Sequence, residues 1–562
     1  MAKKINSKMK SKKNFKTSSS FTLLSIIIGI IGAVIVSSSS FYTVLKFGAL
    51  PWASVMVALI STSTLVFFKK VNGREVSIVH TIMSAGAMVA GGVAFTMPGY
   101  LILGGKLENI DRMQLWVTVL FGSILGCIFS FIFKQKLLEN EELEFPIGEA
   151  TFNVINSGEN SEDMIYVGFG ALLSTVIAIL RDFSFMRGKK TILPTIYSFK
   201  KGFLNFYVSP LLLGIGYILG IAKTFAWFLG GALIYFVFQP FALIKKFENF
   251  DIIKNNFGMG IIVGFGIAVI AKLFFSKYEE EYRKSSNLFW KISIFAGIGI
   301  FGISWIYKLP VFLSFIVVII CILCIIISGY TVGKTGLNFL EIYAVITILT
   351  ITFFNKLLNG IRMENAVFST RITTLMTFCL ACFVTVACGL CGNILNNLKL
   401  GSQTKIAPSK QFFGELIGAA VGSFVVTNLF FILFDVYKNI GPHNNADLMA
   451  LQASFITSFI DGIPFIQIFW LGALIGFVLY FFNVSALTFG IGIYVPFYMT
   501  LTVFLGGILN FVASRVSSKF SEKCLLVSNG LMIGEAIVGV GISLITYYFV
   551  LFQKWYSGKY FY

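Results

Sequence analysis

Apolar runs long enough to cross a hydrocarbon core of ~30 Å as helices recur from one end of the chain to the other, separated by short clusters of charge, proline or glycine. They fall near 21–47, 50–68, 76–104, 113–133, 163–180, 203–221, 224–240 and 257–275. An isolated run follows near 288–306, and then a second set near 309–332, 336–355, 372–395, 411–434, 464–482, 484–498, 499–514 and 525–550. No hydrophilic interval is long enough to form a soluble domain. The pattern predicts an all-α, polytopic membrane protein of about 16 transmembrane helices plus short broken or re-entrant helices, with the lipid bilayer as its solvent.

Words in the first set recur in the same order in the second. YTVLKFG (Tyr42–Gly48) matches YTVGKTG (Tyr330–Gly336), Thr81 pairs with Thr374, FGSILG at Phe121 recurs as FGELIG at Phe413, and EATF at Glu149 recurs as QASF at Gln452. VSPLLLGIG at Val208 and FLGG at Phe228 recur at Val484 and Phe504, and IVGFGIAVI at Ile262 resembles IVGVGISLI at Ile537. Ordered matches of this kind are the mark of a tandem internal duplication. The predicted organisation is a basic tail over 1–20, a first repeat over 21–275, a linker with one extra helix over 276–308, a second repeat over 309–550 and a tail over 551–562. Because the first run has a partner at 309–332, it belongs to the mature fold and is not a cleaved signal peptide. The segment Phe145–Gly158 is too short to span unaided. If it helps to cross as half of a broken helix, the halves are parallel, which the basic loops favour; if it is re-entrant, they are inverted.

Composition agrees with the pattern: of 562 residues, 57% are hydrophobic and 12% charged, about half the charged fraction of an ordinary soluble domain. The net charge of +19 comes from lysines and arginines on the short connections. They form no contiguous groove for nucleic acid, so they read as orientation signals. Lys3, Lys4, Lys8, Lys10, Lys12, Lys13 and Lys16 precede the first run without an acid. The expectation is therefore a multi-pass cell-membrane protein with a cytoplasmic N-terminus. Three C-x-x-C pairs (Cys321/Cys324, Cys379/Cys382, Cys388/Cys391) lie inside apolar runs. Cys379 and Cys382 project from the opposite side of a helix to Cys388 and Cys391, so no tetrahedral metal site is expected and the cysteines read as small packing residues. No cofactor is implied.

Ionisable residues inside membrane helices are costly and normally line a pathway or pair with one another. Here they are Lys46 and Lys334 at matching repeat positions beside Tyr42 and Tyr330, then His80, Glu149, Glu341, Glu415 and Glu535, with Asn153, Asn338, Asn393, Asn397 and Gln452 as neutral company. Around Glu149 and Gln452, proline and glycine or asparagine precede a short small-residue turn. Broken backbone of this form is tolerated at membrane depth where it lines a cavity, so the two segments mark the expected binding centre. GYTVGKT at Gly329–Thr335 approaches the phosphate-cradling loop but is one residue short and follows an apolar run, which argues against ATP binding. With His80 and His443 as the only histidines there is no H-E-x-x-H site, and no large loop holds a nucleophile with its base. A membrane enzyme is disfavoured on that ground; a passive solute channel is the second alternative.

The motifs FPIGEATFNVINSG (Phe145–Gly158), SIVHTIMSAGAMVAGGVAFTMPGYLILG (Ser77–Gly104), GNILNNLKLGSQTKIAPSKQ (Gly392–Gln411), GIGIYVPFYMTLTVFLGG (Gly490–Gly507) and SNGLMIGEAIVG (Ser528–Gly539) resemble, in order, the signature stretches of the oligopeptide transporter family. The resemblance implies a multi-helix secondary carrier, usually proton-coupled, for small peptides, peptide-like thiols or metal complexes of amino-acid chelators. It points to Glu149, Asn153, Gln452, Lys399, Asn393 and Tyr494 for substrate binding and to Glu535 and Glu341 for coupling, and it is compatible with a homodimer. Where the family often carries acids, this chain has Asn153, Asn393 and Asn397, while Glu535 is retained beside Gly534 and Ala536. Close helix packing there would desolvate the carboxylate, the condition under which one exchanges protons near neutral pH. Glu535 is accordingly the expected principal coupling group; a fixed basic partner would instead make it structural.

Overall fold

The computed structural model describes residues 21–47, 72–138, 145–157, 161–182, 205–240, 250–275, 286–336, 338–360, 373–437, 448–457, 465–482 and 485–558, with a few shorter stretches between them. The basic N-terminal tail, most of the 50–68 run and most of the Arg181–Lys201 loop lie outside the described residues, as do the side chains of Asn153, Lys334 and Tyr494.

Among the described residues the chain forms eighteen α-helices and one small hairpin. In order they are α1 (Leu23–Phe47), α2 (Gly73–Thr96), α3 (Pro98–Ile102), α4 (Arg112–Leu138), α5 (Pro146–Ser157), α6 (Ser161–Asp182), β1 (Ile196–Ser198), β2 (Asn205–Tyr207), α7 (Pro210–Ala232), α8 (Phe250–Phe275), α9 (Ser286–Tyr307), α10 (Val311–Thr335) and α11 (Leu340–Gly360). They continue with α12 (Thr374–Thr404), α13 (Pro408–Val436), α14 (Leu451–Thr457), α15 (Ile466–Phe481), α16 (Ala486–Tyr494), α17 (Phe497–Val516) and α18 (Ser518–Gly558). Ten stretches are long and apolar enough to cross a membrane, and Leu340–Asn355 and Ile466–Phe481 are shorter apolar helices. The architecture is that of an all-α polytopic membrane protein.

Breaks fall where local chemistry requires them. Pro98 and Pro496 open α3 and α17, and Pro210 opens α7 behind Ser209, whose hydroxyl accepts from Leu212 N. Gly220 divides α7 into the two predicted runs by taking φ 74°, which a side chain would disfavour. Three boundaries differ from the sequence pattern. The run begun at 203 starts as an antiparallel hairpin, Tyr197 facing Phe206, before α7 begins. The run drawn to 395 does not stop there: GNILNNLKLGSQ is the last three turns of α12, which ends where Lys405 turns left-handed. α18 also runs on through Gly558, past the boundary drawn at 550. Three asparagines and a lysine make GNILNNLKLGSQ look like a loop, but inside the bundle Asn393, Asn396 and Asn397 meet polar partners.

The apolar windows of α2 and α12 are 94% and 89% buried, against 17% for α9, so α2 and α12 form the inner pair and α9 turns most of its surface outward. Packing is made by glycine. A Cβ on Gly122 or Gly126 of α4 would run into the α12 backbone at Phe383 or Ala387, and one on Gly418 or Gly422 of α13 into α2 at Ile82 or Gly86. Backbones this close gain dispersion contacts that apolar side chains cannot supply, lipid being as apolar as leucine.

Several of these contacts occur twice with their ends exchanged. Gly216 of α7 abuts the Val503 carbonyl of α17, and Gly492 of α16 abuts the Trp227 carbonyl of α7. Gly506 meets Leu213 O, and Gly230 meets Phe489 O. Gly170 of α6 meets Val527 O of α18, and Gly472 of α15 meets Phe257 O of α8; Gly534 meets Ala171 O, and Gly264 meets Ala473 O. Phe228 and Phe504, the matched aromatics of the FLGG words, stack on each other with centroids 4.4 Å apart.

Candidate functional site

Polar side chains inside the bundle gather in three places. The first is a chain of charges joining α1, α6 and α18. Arg181, fully buried at the end of α6, donates from Nη1 to Glu535 Oε1 at 2.8 Å and to Val208 O at 2.6 Å, and from Nη2 to Asp182 Oδ2 at 2.5 Å. Glu535 also accepts from Ser209 Oγ (2.9 Å) and Leu211 N (2.9 Å), the capping residue and first turn of α7. The carboxylate therefore sits at a helix N-terminus, where free amides favour negative charge. Lys46 of α1 continues the chain, 3.6 Å from Asp182 and donating to Tyr42 Oη at 2.9 Å. Arg181 lies over the Tyr207 ring, which stacks on Tyr498 of α17. Glu535 has the fixed basic partner that would make it structural, the guanidinium of Arg181.

The second group contains a buried carboxylate and neutral partners. Glu415 of α13 accepts from Asn393 Nδ2 (2.7 Å) on Oε1 and from Asn397 Nδ2 (2.9 Å) on Oε2; the asparagines stand one turn apart on α12. Both amides also donate to Ser84 Oγ of α2, at 3.1 and 3.2 Å. One turn away, Thr81 donates to Gln411 Oε1, and Gln411 Nε2 donates to Ser77 Oγ at 3.0 Å.

The third place is α5. Its Gly148 N donates to Asn396 Oδ1 of α12 at 3.2 Å, and a Cβ there would stand 3.1 Å from the Lys399 Cβ. Glu149, the next residue, is exposed, and Lys399 is part-exposed on the facing turn. No ion pair joins the two among the described residues. The structure thus brings Glu149 and Lys399 to adjoining turns but turns Asn393 away, into the Glu415 cluster. Gln452 lies half-buried on α14, which packs on α2, α3 and α11 and is tied to α1 by Ala450 N donating to Leu45 O. Glu341 is buried in the first turn of α11, and Tyr330 is half-buried on α10.

The model of the family described as "OPT oligopeptide transporter protein" matches residues 20–270 and 275–546, nearly the whole chain. The chain belongs to the oligopeptide transporter family. It is a transporter, not an enzyme. A curated relative named "Putative oligopeptide transporter", from Haemophilus influenzae (strain ATCC 51907 / DSM 11121 / KW20 / Rd), is 25% identical over 591 residues, covering 90% of this chain and 92% of the relative.

Several site residues of this transporter were not singled out from sequence. Arg181 and Asp182 end an apolar run and read as loop charges; only folding shows that Arg181 turns back into the bundle. Ser84 and Ser209 are small hydroxyls with no signature of their own. A signal did exist for Gln411, which stands one turn before the already noted Glu415 in an otherwise apolar helix. Cys321, Cys324, Cys379, Cys382, Cys388 and Cys391 are buried as free thiols; Cys391 donates to Ile325 O.

Proposed function

We propose that this transporter is a secondary active carrier that takes up small peptides, or peptide-like metal chelates, at the cell membrane in company with a cation, the proton. The observation that carries this reading is the docking of α5 on α12. A helix of twelve residues, too short to cross the membrane, presents an accessible carboxylate (Glu149) beside an accessible ammonium (Lys399) on the facing turn of α12, without pairing the two. A zwitterion supplies the complementary ends: its amino terminus for Glu149, its carboxylate for Lys399. Asn153 on the same helix, Gln452 on α14 and Tyr494 at the end of α16 complete the proposed substrate surface. The name of the curated relative supports the peptide class.

The exchanged glycine contacts support the reading of the chain as two fused copies. In that reading α6 corresponds to α15, α8 to α18, and α7 to α16 with α17. It shifts three of the word matches: Gly264 corresponds to Gly534, Gly122 to Gly418 and Ile82 to Phe383, whereas the words alone place Ile262 on Ile537, Phe121 on Phe413 and Thr81 on Thr374.

Purified protein in proteoliposomes tests the function. Di- to hexapeptides, glutathione and ferric or nickel chelates are offered under an inward proton gradient, and uptake of at least one peptide is expected. Glu149→Ala and Gln452→Ala are each expected to abolish uptake while the protein stays folded. Unaltered transport in both variants would move the substrate site elsewhere, and uptake of metal complexes alone would replace peptide by chelate.

A further inference from the structure

We propose that Glu415 is the proton-carrying group of this transporter, with Asn393, Asn397 and Ser84 forming the cage that accommodates both of its protonation states. The proposal rests on the reading of the chain as a cation-coupled carrier.

Glu415 is fully buried, yet the side chains on its two oxygens are neutral amides. Glu535 differs in holding a guanidinium at 2.8 Å. The groups facing Glu415 from each neighbouring element are Asn393 and Asn397 of α12, Ser84 of α2 and, as the titratable one, the Cys127 thiol of α4. His80 stands one turn before Ser84 on α2 and is also buried. Among the described residues no charged side chain of α1, α2, α4, α12 or α18, the helices packed on α13, acts on Glu415. A lone carboxylate out of water is costly even after relaxation, so the site is at ease when it holds a proton or a cation.

Asn397 is built for the proton. Its Nδ2 donates to Glu415 Oε2, while its own Oδ1 is buried and has no hydrogen-bond partner. An asparagine amide can turn about its last torsion, presenting N–H to an ionised carboxylate or C=O to a carboxylic O–H. One side chain thereby serves both states, which neither an aspartate nor an apolar residue does. Ser77, Thr81 and Ser84 share a face of α2 beside Gln411 and Glu415 of α13. Together they line a polar ladder from the cage to the N-terminal ends of those helices, Gly73 and Pro408. The proton enters Glu415 from water along this ladder and leaves to water on the opposite side, so the cycle moves one proton and leaves the carboxylate as it began.

Three measurements on the full chain decide the matter. Glu415→Gln mimics the protonated form: exchange of peptide between loaded vesicles is expected to persist while accumulation on a proton gradient is lost. Retained accumulation with the wild-type pH dependence overturns the proposal, as does wild-type accumulation on a sodium gradient but not on a proton gradient. Asn397→Asp is isosteric and sets a second carboxyl beside the first. It is expected to move the midpoint of the uptake–pH profile by about one unit or more toward alkaline pH, because two adjoining carboxylates resist ionising together; an unchanged profile overturns the proposal even if Glu415→Gln does not fold. Infrared difference spectra between acid and alkaline pH need no substrate. A protonated-carboxyl band is expected in the wild type and absent in Glu415→Gln, and a spectrum unaltered by the substitution overturns the proposal independently of whether peptides prove to be the cargo.

Discussion

At the scale of single residues, two of the buried glutamates, Glu415 and Glu535, stand in opposite circumstances. Glu535 is satisfied by Arg181, Ser209 and the amide of Leu211, so it ties α6, α7 and α18 together. Removing one member of a buried pair strands the other, at about 3–5 kcal/mol. Arg181→Met is therefore expected to lower the thermal unfolding midpoint in detergent sharply, and Glu535→Gln to lower it less, since the glutamine keeps its oxygen for Ser209 and Leu211. Wild-type midpoints in both would mean that the pair bears no load. The same Glu535→Gln protein, assayed for uptake, compares the two glutamates directly: it is expected to accumulate substrate in proportion to the protein that remains folded, whereas loss of accumulation with exchange preserved would return the coupling role to Glu535. Sequence alone could name Glu415, Glu535, Asn393 and Asn397 as unusual in apolar surroundings. It could not say which carboxylate met a cation, because Arg181 and Glu535 lie 354 positions apart.

At the scale of elements, helix meets helix through glycine, and the exchanged contacts give this a symmetric form. A methyl group at Gly230 or Gly506 meets a backbone carbonyl rather than a movable side chain, so relief requires the helices to separate, and overpacking of this kind costs about 1–3 kcal/mol. Gly230→Ala and Gly506→Ala are expected to reduce stability by similar amounts, being counterparts in the proposed duplication. Gly168→Ala and Gly297→Ala, where the added carbon meets open space, are expected to be neutral or to stabilise by up to about 1 kcal/mol through helix propensity. Thermal unfolding and the monodisperse yield from size exclusion measure both. Four equal outcomes would show that the close approaches do not govern assembly. The glycines were visible in the sequence as part of repeated words, but word matching set Phe121 against Phe413 where, in the proposed duplication, Gly122 pairs with Gly418. A helix tolerates a slip of one turn in wording, because small residues recur every four positions; backbone contact tolerates none.

At the scale of the whole molecule, the ten long apolar helices among the described residues follow from hydrophobic length alone, and the lysine-rich N-terminus fixes the expected orientation. A cysteine introduced at Ser7 is expected to react with a membrane-impermeant maleimide only after intact cells are opened; labelling of closed cells would invert the assignment. The existence of the spans, the short helices around Glu149 and Gln452, the breaks at Gly220 and Pro496, and the family were all determined by the sequence, since each depends on neighbours within a few turns: apolar length, proline and glycine geometry, and motif order. The partners were decided by tertiary structure. Only folding set Arg181 on Glu535, laid the NILNN turns of α12 as helix against Ser84 and Glu415, and placed Gly148 on Asn396. In a membrane interior every helix face is apolar by composition, so hydropathy does not report which face meets which; that is settled by where backbones approach closest and where each buried polar atom finds its donor or acceptor.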